Sequence, residues 1–105
     1  MAEYLLGIDN GLTVSKAGIF DLAGREVQIA SRKREVLYPH PGWAESDLDA
    51  IWRSTTGAIR DAIEASGVRP EEIIAIGNTG HGNGLYLLDR HTNPLGSGIL
   101  SFDTR

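Results

Sequence analysis

Apolar positions along the chain change their spacing once, and that change divides it. Tyr4 to Asp9 is a nearly continuous apolar run closed by a carboxylate, the pattern of an interior strand covered on both faces. Lys16 to Asp21 reads as a second strand, and Leu22-Ala23-Gly24 turns the chain into Arg25 to Lys33, where Val27 and Ile29 alternate with polar neighbours. Three such segments joined by short turns predict an antiparallel meander. Pro39 and Pro41 remove backbone donors and disfavour helix in the residues before them, so Tyr38 to Gly42 is a loop.

The spacing then moves to three and four. Leu48, Ile51, Trp52, Thr55, Ile59, Ala62 and Ile63 fall on one face and predict an amphipathic helix over residues 47–66. Ser46 is the expected N-cap with Asp49 three residues on, Glu45 and Asp47 suit the positive end of the dipole, and Gly67 with Pro70 stops the helix. Ile73 to Gly77 is a further apolar run, and strand, helix, strand in that order implies a right-handed crossover to a parallel strand. A glycine-rich loop over 77–84, a strand from Leu85 to Asp89, a turn through Asn93-Pro94 and a strand beginning at Gly98 complete the expected α/β mixed sheet. One helix covers one face of apolar strands, so residues 1–105 are expected to form an incomplete, truncated unit.

Composition narrows the classes of function. A length of 105 residues allows one domain at most, and 41% hydrophobic with 23% charged residues is an ordinary globular balance. Without cysteine there is neither a disulfide framework nor a thiolate zinc site, which fits a cytoplasmic setting. The net charge is −4 and the one basic run, Arg32-Lys33-Arg34, reads as a solvated strand end, so no nucleic-acid partner is expected. No apolar stretch reaches membrane-spanning length, and no membrane partner is expected either.

Two segments have the residues for chemistry. Asp9-Asn10-Gly11-Leu12-Thr13-Val14-Ser15-Lys16 supplies a carboxylate at a strand end, a glycine permitting close backbone approach, hydroxyls and a cation, which suits a phosphate loop; the same residues also suit a plain hairpin turned on Asn10-Gly11. It lacks the glycines and the Gly-Lys-Ser/Thr ending of a P-loop. Gly77 to Gly84 lies beyond a strand end, where ligands bind in open α/β sheets, and His81 and Asn83 offer hydrogen bonds; a flexible connector is the other reading. Trp43 is expected to pack against the first helical turn rather than on a ligand. Asp103, after an apolar strand, is either a ligand contact or a loop residue.

Taken in order, Leu6-Gly7-Ile8-Asp9 with Gly11 and Lys16, Pro41-Gly42-Trp43-Ala44-Glu45-Ser46-Asp47, Ile76-Gly77 with its glycine loop and Leu87-Leu88-Asp89, and Ile99 to Arg105 resemble the first part of the FGGY carbohydrate kinases. These enzymes have two actin-like, ribonuclease-H-like ATPase domains, and the resemblance runs from Tyr4 to Arg105. The glycine loop is most similar to that of L-xylulose and tetritol kinases. The resemblance implies an ATP-dependent kinase acting on a terminal hydroxyl of a small ketose or polyol, such as xylulose, in a parent of which residues 1–105 are the start of the first domain; the oligomeric state of that parent is left open, a homodimer being one option.

By position it implies that Asp9 associates with Mg²⁺ through water, that Gly11, Thr13 and Lys16 face the ATP phosphates, and that His81, Gly82, Asn83 and Asp103 lie on the sugar side. The general base is implied downstream, so the fragment itself should be inactive. Several positions depart from the family pattern. Leu12 stands where Thr or Ser is usual, His81 where Gln is usual, Gly82-Asn83 where xylulokinases carry Met-His, and Ser101-Phe102 where Trp-Asn or Trp-Gln is usual. The rival readings are a non-metabolic actin-like ATPase or chaperone module, and a non-catalytic binding fragment.

Overall fold

The computed structural model describes residues 1–105. Strands β1 (Tyr4–Asn10), β2 (Val14–Asp21) and β3 (Glu26–Lys33) form the expected meander. A two-residue strand β4 (Glu45–Ser46) precedes helix α1 (Leu48–Ser66), and a 3-10 turn at Pro70–Glu72 leads into β5 (Ile73–Gly80). The main sheet has the order β3-β2-β1-β5, antiparallel except for the parallel β1–β5 pair that the helical crossover creates. A second, two-stranded sheet pairs β4 with β6 (Gly98–Ile99). The α/β class, the meander, the crossover helix and the parallel strand are as the periodicity implies.

Residues on one face of the sheet meet α1. Leu6 of β1 and Ala17 and Ile19 of β2 pack on Ala58 and Ala62 of α1, with Val68 closing the end. Alanines on the helix and alanines on the strands let the backbones approach closely, so α1 lies over β2 and β3. Gly57 continues that contact: a Cβ there would overlap the Arg32 guanidinium, which crosses it to reach Asp61 at 2.9 and 3.0 Å. The opposite face carries Gly7, Gly18 and Gly77 beside Phe20 and Ile29 and leaves a hollow of about 430 Å³. No helix is long and apolar enough to cross a membrane.

Four local expectations are corrected. The N-cap is Asp47, whose carboxylate accepts from the Asp49 amide at 3.1 Å, while Ser46 is buried in β4. β5 runs on to Gly80, because pairing with β1 persists through Asn10↔Gly80 and supplies ladder bonds to a glycine-rich segment. Leu85 to Asp89 forms no strand, only isolated bridges from Leu85 to Ile99 and from Leu88 to Pro94. Trp43 packs edge-on against His40 and beneath the Arg105 guanidinium, and Glu45 pairs with Arg105 at 2.7 Å instead of serving the helix dipole.

Candidate functional site

The parallel strands β1 and β5 end side by side, and most of the candidate residues collect there. Asp9 is the last outward-facing residue of β1, opposite Lys16 on β2 and Thr79 on β5, and all three line the glycine-floored hollow. The turn between β1 and β2 is held by its own backbone, Gly11 donating to the Val14 carbonyl at 2.9 Å. Thr13 projects from it into solvent. No ion pair uses Asp9 or Lys16, so both side chains are available to a ligand.

Beyond Gly80 the chain stays tied to β1. The His81 amide donates to the Asn10 carbonyl at 2.9 Å, and the ring Nδ1 lies 3.1 Å from the same oxygen. A carbonyl only accepts, so Nδ1 carries the proton and Nε2 accepts from the Tyr86 hydroxyl. The Tyr86 ring in turn lies where Cβ atoms on Gly84 and Gly98 would be, which gives those two glycines a packing reason. Asn83 has φ 62°, a left-handed conformation that asparagine tolerates better than most residues, and Gly82 beside it faces open space. His81 and Tyr86 border a second hollow of about 610 Å³ on the helix side of the sheet, with Asn10, Trp52 and Thr55.

Asp103 is placed elsewhere, in a knot of its own. Its carboxylate accepts from the Ala44 amide at 2.7 Å, from the Arg105 amide at 2.9 Å and from the Arg105 guanidinium at 2.7 to 3.0 Å. These bonds, those from the Arg105 side chain foremost, hold its pKa well below the usual carboxylate range. Thus Asp9, Gly11, Thr13 and Lys16 share one hairpin, His81, Gly82 and Asn83 adjoin it through Asn10, and Asp103 braces the segment that carries Trp43 and Glu45.

One group escaped the reading of the sequence. Asn10, Ser15, Arg34, Ser54 and Thr55 form a polar network under the β1–β2 turn: Ser15 donates to Asn10 Oδ1 at 2.8 Å, Thr55 reaches the same atom at 2.8 Å, and Ser15 and Ser54 hydroxyls lie 2.9 Å apart. Arg34, expected in solvent, is 8% exposed. The signal was parity: Gln28, Ala30 and Arg32 are the β3 residues on the helix side, and residue 34 continues that series.

The N-terminal domain of the FGGY family of carbohydrate kinases matches residues 4–105. The chain is 43% identical over 105 residues to L-xylulose/3-keto-L-gulonate kinase of Escherichia coli, covering 100% of this chain and 21% of that protein. It is 42% identical over 103 residues to a probable L-xylulose kinase of Pasteurella multocida, covering 98% and 21%. Among solved structures, a xyloylose kinase from Brucella ovis superposes with a TM-score of 0.90 at 35% identity, covering 98% of this chain and 22% of that one. The chain therefore spans about a fifth of the length of these relatives.

Proposed function

This chain belongs to the FGGY family of carbohydrate kinases, and on that premise we propose that the whole protein transfers the γ-phosphoryl group of MgATP to a terminal hydroxyl of a small ketose or polyol, with a pentulose such as L-xylulose as the leading candidate. Residues 1–105 supply the start of its first domain. The observation that carries this reading is the convergence of the β1–β2 turn and the His81–Asn83 segment at the paired ends of β1 and β5. Ligands in open α/β sheets bind at such ends. The rival reading as a non-metabolic actin-like ATPase is set aside on the same family match.

The residues present fit MgATP. Asp9 and Lys16 line one hollow and neither is engaged in an ion pair, which suits a cation carried in by phosphates and held by one carboxylate and water. Asp9 would be that carboxylate. When bound, MgATP supplies the transferable phosphoryl group with part of its charge already neutralised. Lys16 faces Asp9 across the ladder and adds positive charge, Gly11 allows the backbone to approach the phosphates, and Thr13 offers a hydroxyl. On the sugar side, Asn83 presents its amide and Gly82 leaves room beside it. His81 is fixed between Asn10 and Tyr86, so it joins the sugar side to the phosphate turn. Asp103 is assigned to the sugar side as well, through the Ala44–Glu45 backbone that it anchors. The base that takes the hydroxyl proton is assigned to a segment outside residues 1–105.

The test is a split in kinetics of the whole protein. Asp9→Ala should lower kcat by roughly a hundredfold or more with the fold intact, the usual loss on removing a charged partner of a transferring phosphoryl group. Asn83→Gly removes the amide yet tolerates φ 62°, and should lower kcat/KM for L-xylulose about ten- to hundredfold while the MgATP KM stays in place. Normal turnover by Asp9→Ala would reduce the turn to a hairpin. A shift in the MgATP KM alone on Asn83→Gly would move that loop to the nucleotide.

A further inference from the structure

Arg34 lies directly behind the turn assigned to phosphate, and nothing in its surroundings balances its charge. It is 8% exposed, and its partners are all neutral: one guanidinium nitrogen donates to the Ser15 hydroxyl and to the Ser54 hydroxyl at 3.2 Å, and another donates to the Gly11 carbonyl. Its backbone amide donates to the Thr13 carbonyl at 2.7 Å. Nε is buried with no partner at all. None of the ion pairs in the chain involves Arg34. Burial pushes the guanidinium pKa down, the sign of a desolvated charge without a carboxylate beside it. A guanidinium keeps its proton even so.

Burying an unpaired charge is costly, and replacing it with an apolar side chain of similar length often stabilises a fold. Arg34 holds two carbonyls of the turn, Gly11 through its side chain and Thr13 through its amide, so the charge sits behind backbone that would face an anion. We propose that Arg34 is a buried counter-charge for the nucleotide phosphates, braced against the β1–β2 turn, a reading that rests on the assignment of that turn to phosphate. It acts through the turn and is a positioning residue rather than a catalytic one. Bound phosphate supplies the negative charge that the protein omits, and the Ser15–Asn10–Thr55 network keeps the turn aligned with α1 while it does so.

The experiment measures MgADP binding by calorimetry, thermal unfolding without ligand, and KM for L-xylulose, all on the whole protein. Arg34→Met should weaken MgADP binding tenfold or more while the ligand-free unfolding temperature is unchanged or higher and the L-xylulose KM is unmoved. Arg34→Lys, which keeps the charge, should bind MgADP within about threefold of the parent. MgADP binding by Arg34→Met equal to the parent's would overturn the inference, and Asp9→Ala and Lys16→Ala would then show whether the phosphate assignment survives without it. A lowered unfolding temperature with equal losses for MgADP and L-xylulose, and no recovery in Arg34→Lys, would make Arg34 a structural brace only and would equally overturn the proposal. If Arg34→Met does not fold, Arg34→Lys decides alone, since binding more than tenfold weaker than the parent's excludes a counter-charge. Unchanged MgADP binding in both Asp9→Ala and Lys16→Ala would instead remove the phosphate assignment, and this inference with it.

Discussion

Asp103 shows how one side chain can hold a segment of loop together. Its carboxylate is 4% exposed, takes bonds from Ala44 and Arg105, and orients a guanidinium that also covers Trp43 at 3.8 Å and reaches Glu45 at 2.7 Å. Because these bonds favour the ionised form, the native pKa is depressed. Asp21, Asp61 and Asp89 are shifted in the same direction, Asp21 mainly by bonds from Arg25, Asp61 by Arg32 and Asp89 by the Asn93 and His91 amides. A depressed carboxylate contributes stability that is fully present above its unfolded pKa, about 3.9 for Asp, and is lost as pH falls through the lower native value. Stability should therefore be flat near neutrality and fall below about pH 4. Asp103→Asn should lower the plateau and flatten the acid limb in unfolding curves taken across that range, and an unchanged acid limb would mean that the knot adds nothing.

At the scale of the element, α1 depends on how its first turn is capped. Asp47 has φ −75° and ψ 122°, the extended backbone of an N-cap, and its side chain reaches the Asp49 amide, whereas the Ser46 side chain is committed to the interior. At the other end Gly67 takes φ 73° and its amide closes on the Ile63 carbonyl. Asp47→Ala should cost about 1 kcal/mol and Asp47→Asn much less, read as the midpoint of thermal unfolding followed by helical circular dichroism. The exposed Asp47–Arg53 pair at 3.9 Å adds little to that figure. A loss confined to Ser46→Ala would return the cap to residue 46.

The molecule as a whole buries few of its residues. Only 16 of 105 are buried, while Trp52 is 70% and Ile76 64% exposed, because α1 covers β2 and β3 and leaves β5 bare on the helix side. Asp9, Lys16, Gly82 and Asn83 all stand open to water. Phosphoryl transfer depends on positioned charges in a site from which water is excluded, so the isolated 105-residue chain is expected to release no ADP above background from MgATP and L-xylulose. Sugar-dependent turnover by the purified chain would contradict this.

Local pattern alone determined the meander, the helix over 47–66 against the observed Leu48–Ser66, the crossover to a parallel strand and the composition of the β1–β2 turn. Periodicity and capping act between near neighbours, so they are legible without a fold. Tertiary structure decided the rest, where the partner is distant in the chain. Leu85 to Asp89 has a strand's composition but meets its partners only at single bridges, Leu85 with Ile99 and Leu88 with Pro94, whereas Asn78 to Gly80 has a loop's composition and pairs because β1 lies alongside. Asp103 reads as a ligand contact or a loop residue, and its bond from Ala44, 59 positions away, is legible only in the fold. Arg34 reads as one of three solvated cations, and only the landing of α1 beside the end of β3 encloses it with Ser15 and Ser54. Parity along β3 points residue 34 to the helix side, but burial of its charge is set by what packs over it, and that comes from residues distant in the chain.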